Sequence, residues 1–153
     1  MAGNLKSLAF AAQTTLLYSE TVEAERLLRE ATESAGARFA SAATVCSATQ
    51  ERQKAALNLC AEGCDLFLVV GGFASSNTGQ LFRLAAQHAP AYFIRTAADF
   101  DATWITHYDP ATKMVTTTEN WLPRTAATIG LLSGASCPAS DIGGVLHKLR
   151  ALA

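Results

Sequence analysis

Short apolar runs alternate along this chain with longer stretches in which apolar residues recur every three or four positions. The clearest short run, Asp65–Gly71, is apolar throughout its middle, which is typical of a strand buried on both faces of a sheet. In the longer stretch 22–34, alanine and leucine positions share one helical face, and Gly36 is placed to end that helix. The alternation predicts an α/β fold with a mostly parallel sheet and flanking helices.

The remaining elements follow from the same pattern. We predict strands at 7–12, 43–46, 65–71, 91–95 and 128–132, and helices at 22–34, from about 49, at 79–88 and at 141–152. The polar, threonine-rich stretch 106–119 predicts a hairpin excursion outside the core. A boundary near 36–41 divides the chain into 1–40, an incomplete strand and helix, and 41–153, a self-sufficient block with a hairpin insertion near 104–123.

Composition and charge remove several classes of function. Half of the 153 residues are hydrophobic and 16% are charged, which suits a well-buried core. The net charge of −1 provides no broad basic surface for nucleic acid or an anionic membrane. No uninterrupted apolar window of about 18 residues exists, and the start does not resemble a signal peptide. We therefore expect no nucleic-acid partner, no membrane partner and a reducing compartment.

Small residues with hydroxyl, thiol or amide groups gather where four predicted strands end. These loops are Gln13–Thr15, Cys46–Thr49, Gly71–Asn77 and Ser133–Pro138. Ligands of open parallel sheets bind beyond the carboxyl ends of the strands, and the helix starts that follow favour anions. One such loop is more often a helix cap than a ligand site, but four at one sheet edge predict a small anionic ligand. The motifs of nucleotide-binding loops are absent.

The cysteines have no zinc-type spacing, so we expect free thiols. Cys46 precedes a predicted helix, where the helix dipole stabilises a thiolate. That position suits a metal ligand or a nucleophile, but it also suits a small buried side chain. We interpret Cys60 and Cys64 as packing residues. Cys137, beside Pro138, suits either a functional or a structural role, and we favour the structural one.

The histidines and tryptophans give weaker signals. His88 and His147 lie late in predicted helices and are expected at the surface. His107 lies in the polar stretch without a partner that the sequence identifies. Trp104 and Trp121 are expected to pack in the core or against the hairpin.

An ordered set of motifs resembles the last third of the 4-hydroxy-3-methylbut-2-enyl diphosphate reductases. The motifs are Gln13-Thr14-Thr15, Val45–Thr49 with Arg52-Gln53, LVVGG with Ser75-Ser76-Asn77, and Gly134–Pro138. Glu119–Pro123, with the hairpin before it, is similar to the plant and cyanobacterial version. Each motif is weak by itself, whereas the set in this order is specific.

The resemblance implies a three-lobed α/β fold around a 4Fe-4S cluster, of which 1–40 would be part of the second lobe and 41–153 the third lobe. Cys46 matches one of three cysteines, one per lobe, that hold the cluster. Thr14 matches a residue near the hydroxyl end of the substrate. Ser75, Ser76, Asn77 and Ser136 match the residues that hold the diphosphate.

The same resemblance implies a reaction and its partners. The family reductively dehydroxylates 4-hydroxy-3-methylbut-2-enyl diphosphate to isopentenyl and dimethylallyl diphosphate, with electrons from a donor such as ferredoxin or flavodoxin. A cytoplasmic setting, or the plastid stroma for a plant-type source, is implied as well.

The departures from the family limit what this chain can do. The first lobe and most of the second have no counterpart here, and neither do two cluster cysteines, three histidines and the glutamate that supplies protons. We therefore expect an inactive fragment, or one half of an enzyme whose other lobes come from a second chain, that binds cluster and diphosphate weakly alone. The alternatives are a non-catalytic diphosphate-binding α/β module and a remnant without function.

Overall fold

A computed structural model of the chain describes residues 5–42, 46–123, 125 and 127–152. It contains two compact units, Met1–Glu51 and Arg52–Ala153. Among the described residues the strands are β1 Ser7–Ala11, β2 Arg38–Ala42, β3 Leu66–Val70, β4 Ala91–Ile94, β5 Trp104–Asp109, β6 Met114–Glu119 and β7 Ile129–Ser133. The helices are α1 Tyr18–Ser34, α2 Ser47–Ala61, α3 Ser76–Ala86 and α4 Ala139–Leu152, with a 3₁₀ turn at Ala97–Asp99.

The first unit is a strand–helix–strand arrangement. β1 and β2 pair in parallel, with Ser7 opposite Arg38. α1 connects them and ends at Ser34, and Gly36, just beyond the helix end, adopts a positive φ of 73° that glycine tolerates best. The Arg29 guanidinium lies 4.7 Å from the centre of the Phe39 ring, so α1 covers the face of the sheet that carries Phe39. The prediction that Gly36 ends this helix is confirmed.

The sheet of the second unit runs in the order β6-β5-β4-β3-β7. β3 pairs in parallel with β4 and with β7, whereas β5 and β6 run antiparallel to their neighbours. Every residue of β3 is buried, as the continuous apolar run predicts. The mostly parallel α/β fold expected from the sequence is confirmed.

Side chains of β3 alternate between two hydrophobic clusters, one on each face of the sheet. Leu66, Leu68 and Val70 pack in one cluster with Val145 of α4. Phe67 and Val69 pack in the other cluster, whose members from the second unit's helices are Ala56, Cys60, Leu81 and Ala85. This strand is therefore sandwiched between helices, the usual condition of a central parallel strand.

The hairpin differs from its prediction. The sequence predicts an excursion outside the core, but β5 pairs with β4 and Ile105 is fully buried with Phe100 and Trp121. Alternation along β5 turns one face of the strand towards the core, although the intervening polar residues hide that pattern. The hairpin 104–119 is an extension of the sheet rather than an appendage.

The division of the chain also differs from its prediction. The sequence places the boundary at 40/41, whereas the compact units divide between Glu51 and Arg52. β2, which the sequence does not predict, pairs with β1 and so belongs to the first unit. Most of the predicted strand 43–46 lies outside the described residues. Among those that are described, no helix is long and apolar enough to cross a membrane.

Candidate functional site

Polar residues at the start of α3 follow the carboxyl end of β3 and are held by a side-chain cap. β3 ends at Val70, and Ser75 caps the helix by accepting a hydrogen bond from the Thr78 backbone N–H at 3.3 Å. α3 therefore begins at Ser76, earlier than the predicted 79. Ser76 and Asn77 consequently lie in the first turn of α3, the end of a helix whose dipole favours an anion.

Asn77 is buried without a hydrogen-bond partner. Its exposed fraction is 6%, and neither its side-chain oxygen nor its nitrogen has a partner among the described residues. A buried polar group left unsatisfied costs about 1–3 kcal/mol, so native structures rarely keep one without a reason. An amide of this kind at a helix N-terminus makes Asn77 a candidate contact for a polar ligand.

The loop after β7 lies directly against the start of α3. Val70 and Ser133 are paired across β3 and β7, and the Gly134 N–H donates to the Val70 carbonyl at 3.1 Å. A Cβ added to Gly134 would overlap the Thr78 hydroxyl and approach Ser75 Oγ to 3.6 Å. Ser136, which is exposed, follows two residues later. The structure thus brings two of the four predicted loops together at one sheet edge.

Two further residues at this edge were missed by the sequence interpretation. Thr78 is fully buried, and its hydroxyl donates to Ser75 Oγ at 2.9 Å. Arg95 follows β4, and its guanidinium lies 4.9 Å from the centre of the Phe73 ring, which stacks on Tyr108. In the sequence, Thr78 could have been found as a threonine three residues after a capping serine. No sequence signal indicates the contact of Arg95 with Phe73.

Thr14 and Cys46 belong to the first unit and are close to each other. The Cys46 N–H donates to the Thr14 carbonyl at 3.3 Å, and both residues are exposed. The Cys46 carbonyl accepts from the Gln50 N–H at 3.0 Å, so the thiol stands immediately before the first turn of α2. The structure therefore pairs the residue predicted as a cluster ligand with the residue predicted near the substrate hydroxyl.

The described residues do not contain a complete metal site. No group of three or more histidine, cysteine, aspartate or glutamate side chains is arranged to hold a metal ion in the part of the chain that the structure describes. Burial raises the pKa of the Cys60, Cys64 and Cys137 thiols, which disfavours the thiolate that a metal needs. Cys46 by itself does not fit a 4Fe-4S cluster, which takes several cysteine ligands.

The histidines and tryptophans considered in the sequence have the following places in the structure. His88 and His147 are exposed, as expected. Trp121 is buried and donates to the Asp101 carbonyl at 2.7 Å, whereas Trp104 is exposed. His107, for which the sequence identifies no partner, has its Nε2 at 2.9 Å from the Thr118 hydroxyl because the two lie on paired strands of the hairpin.

The family follows from a comparison with known proteins. The sequence profile of the family described as LytB protein matches residues 2–150. The chain belongs to the LytB family. Its match extends through both compact units, so the two belong to one family sequence.

Several curated LytB relatives are named 4-hydroxy-3-methylbut-2-enyl diphosphate reductase. The one from Thermosynechococcus vestitus is 38% identical over 97% of this chain and 39% of its own length. The relative from Gloeothece citriformis is 38% identical over the same shares, and that from Gloeobacter violaceus is 35% identical over 95% and 37%. The chain thus spans about two fifths of these relatives' length. Their cyanobacterial origin agrees with the subtype indicated by Glu119–Pro123.

Solved structures support the fold of this LytB chain. The structure of the E-1-hydroxy-2-methyl-but-2-enyl-4-diphosphate reductase from Plasmodium falciparum matches this chain with a TM-score of 0.68 and 26% identity. The match covers 93% of this chain and 38% of that one. A second structure, of (E)-4-hydroxy-3-methyl-but-2-enyl diphosphate reductase, is matched with a TM-score of 0.53 and 21% identity over 95% of this chain and 44% of that one. The second likeness concerns the fold alone.

Proposed function

We propose that this chain supplies the diphosphate-holding part of an enzyme that reductively dehydroxylates 4-hydroxy-3-methylbut-2-enyl diphosphate to isopentenyl and dimethylallyl diphosphate. Membership of the LytB family and the names of the cyanobacterial relatives support this reaction. The chain spans about two fifths of those relatives, so we assign the reaction to an assembly of this chain with further polypeptide. We expect the chain alone to be inactive.

In this proposal the start of α3 and the loop after β7 hold the diphosphate. The hydroxyls of Ser75, Ser76 and Ser136 and the amide of Asn77 donate hydrogen bonds to its oxygens. The positive end of the helix dipole favours the same anion. Hydrogen bonds to a charged acceptor are about twice as strong as neutral ones, so uncharged donors suffice to orient the diphosphate.

Cys46 and Thr14 have separate roles in the proposal. Cys46 would contribute one thiolate to a 4Fe-4S cluster, and the further ligands would come from polypeptide outside these 153 residues. The backbone bond between Cys46 and Thr14 supports a role for Thr14 beside that ligand, near the hydroxyl end of the substrate. The cysteines of the described chain are free thiols, which suits a reducing compartment such as the cytoplasm or a plastid stroma. Ferredoxin or flavodoxin would be a suitable electron donor.

The unpartnered Asn77 amide carries this proposal, and inorganic pyrophosphate tests it. We expect amide NMR shifts at Ser76–Thr78 to titrate with pyrophosphate, at millimolar concentrations, in the full chain. Asn77→Ala should weaken binding by about 1.5–3 kcal/mol, the value of a hydrogen bond to a charged group, or roughly 10- to 150-fold. The unfolding midpoint without ligand should not fall, because the variant removes two unsatisfied polar atoms.

Asn58→Ala is the matched control, since Asn58 is an exposed helical asparagine in the same compact unit. It should leave the titration unchanged. An Asn77→Ala variant that bound pyrophosphate as well as the wild-type chain would remove the main support for a diphosphate site. Binding without any activity after the missing lobes are supplied would instead favour the non-catalytic module.

A further inference from the structure

The hydrogen-bonding capacity of Ser75 is almost fully used by one neighbour. A serine hydroxyl has one hydrogen to donate and two lone pairs that accept. Ser75 Oγ accepts from the Thr78 backbone N–H at 3.3 Å and from the Thr78 hydroxyl at 2.9 Å. Both accepting positions are therefore occupied, and the hydroxyl hydrogen of Ser75 remains for a further partner.

Thr78 is held in the position that this arrangement needs. It is fully buried, so water does not compete for its hydroxyl. Two glycines enclose that hydroxyl: a Cβ added to Gly71 would lie 2.7 Å from Thr78 Oγ1, and one added to Gly134 would overlap it. These glycines come from the loops after β3 and β7, so both loops close around the same side chain.

We propose that Thr78 is a positioning residue that makes Ser75 a hydrogen-bond donor only. Because its lone pairs are filled, Ser75 can bind an oxyanion but cannot accept a hydrogen bond from a ligand. The start of α3 consequently favours a ligand group that accepts hydrogen bonds, such as a phosphate oxygen, and disfavours a group that can only donate them, such as an ammonium. This inference rests on the proposed diphosphate site and adds Thr78 as the residue that leaves Ser75 able only to donate a hydrogen bond.

A double-mutant cycle with inorganic pyrophosphate tests the role of Thr78. The full chain is titrated as wild type, Thr78→Val, Thr78→Ser, Ser75→Ala and Ser75→Ala with Thr78→Val, with amide NMR shifts as the readout. We expect Thr78→Val to weaken binding about 5- to 10-fold, the loss typical of one hydrogen bond. Thr78→Ser, which keeps the hydroxyl, should bind within about two-fold of wild type. In the Ser75→Ala background, Thr78→Val should have little further effect, because residues that act through one another are not additive.

The matched control is Thr32→Val. Thr32 is a buried helical threonine of the first compact unit, and its hydroxyl donates to the Leu28 carbonyl. This control removes the same hydroxyl type elsewhere and should leave pyrophosphate binding unchanged.

Three results would overturn the inference while leaving the diphosphate site intact. These are wild-type affinity in Thr78→Val, equal losses in Thr78→Val and Thr78→Ser, and full additivity with Ser75→Ala. Equal losses would mean that Thr78 matters only for packing. A wild-type chain that shows no shifts with pyrophosphate would overturn the proposed function itself, and the inference with it.

Discussion

The loops that follow β3 and β1 differ in how they are held. After β3, Ser75 caps α3 through its side chain, and Thr78 and Gly134 enclose that cap. After β1, the residue before α1 is Leu17, which offers no side-chain cap, and Thr14 is exposed with its carbonyl bonded to the Cys46 N–H. The loop after β3 is therefore locked by side chains. At Thr14, by contrast, the local contact to Cys46 runs through the backbone.

The strands before these loops show the same contrast. β3 is buried along its whole length, whereas the residues of β1 alternate between partly buried and exposed. Parallel strands normally lie in sheets that are covered on both faces. The central strand of the second unit meets this condition. In the first unit, described by itself, α1 packs against the face that carries Phe39, and the residues of β1 and β2 are partly buried or exposed. This difference supports our proposal that the half with the proposed anion site is preformed, while the half that carries Cys46 depends on additional polypeptide.

The largest expected effect concerns Cys46. With a polypeptide that carries the remaining lobes of a cyanobacterial relative, the wild-type chain should form a brown cluster on anaerobic reconstitution and reduce the substrate. The chain alone should stay colourless. Cys46→Ser should abolish the activity of the pair because a cluster ligand is lost, while far-ultraviolet circular dichroism stays unchanged because the residue is exposed.

Cys64→Ser is the control for this experiment, since Cys64 is a half-buried thiol that packs against the core. It should retain most of the activity. Full activity in Cys46→Ser, or a stoichiometric cluster in the chain alone, would show that the assignment of Cys46 is wrong. Either result would also contradict the proposal that the half that carries Cys46 depends on additional polypeptide.

The next largest expected effect is on the free energy of unfolding, and it allows the cores of the two units to be compared. Phe67→Ala removes a fully buried ring from β3 and should cost about 3–5 kcal/mol of unfolding free energy. Phe39→Ala in β2 removes a ring that is only partly buried and should cost less than half as much. Both tryptophans, Trp104 and Trp121, lie in the second unit, so urea unfolding followed by tryptophan fluorescence reports that unit.

In this measurement Phe67→Ala should shift the fluorescence transition strongly and Phe39→Ala should leave it in place. Circular dichroism of the same samples detects the change in the first unit. If Phe39→Ala shifted the fluorescence transition as far as Phe67→Ala does, the two units would unfold as one, and the distinction between them would be wrong for stability.

Much of the fold was predictable because its strongest signals are local. The continuous apolar run of β3 and the glycine after α1 are visible in sequence, and both predictions are confirmed. β2 was missed because Arg38–Ala42 is short and has no distinctive pattern. The core position of Ile105 was missed because it depends on pairing between β5 and β4, which no local pattern encodes.

The candidate site also contains residues that the sequence revealed and residues that it did not. Its serines and Asn77 were visible as residue types at a predicted strand end. Their assignment to a diphosphate remains a prediction, which the buried and unpartnered amide supports. Thr78 was missed although its spacing from Ser75 is a local signal, and its enclosure by Gly134 is a long-range contact. Arg95 was missed because its contact with Phe73 depends on the fold. Sequence patterns report which groups are present, whereas the enclosure of a hydroxyl by distant glycines requires the fold.

The smallest expected effect is a dependence of stability on pH that belongs to the second unit. Burial lowers the pKa of His107, and the nearby Asp109 carboxylate offsets this only in part. The ring lies edge-on to Tyr92, and its Nε2 is near the Thr118 and Thr116 hydroxyls. Because the folded pKa lies below the unfolded value of about 6.5, the unfolded chain binds more protons between the two. Stability should be fully present above about pH 6.5 and fall as the pH drops towards the folded pKa.

Thermal unfolding at pH 7.5 and at pH 5.5, followed by tryptophan fluorescence, measures this dependence. His107→Gln keeps a polar group beside the threonines but does not titrate, so it should flatten the difference between the two midpoints. His147→Gln, at an exposed position on α4, should leave the difference as it is in the wild type. An equal flattening by both variants would trace the dependence to general surface charge. A selective effect of His107→Gln would show that the hairpin, which the sequence suggested as peripheral, is coupled to the core of the preformed half.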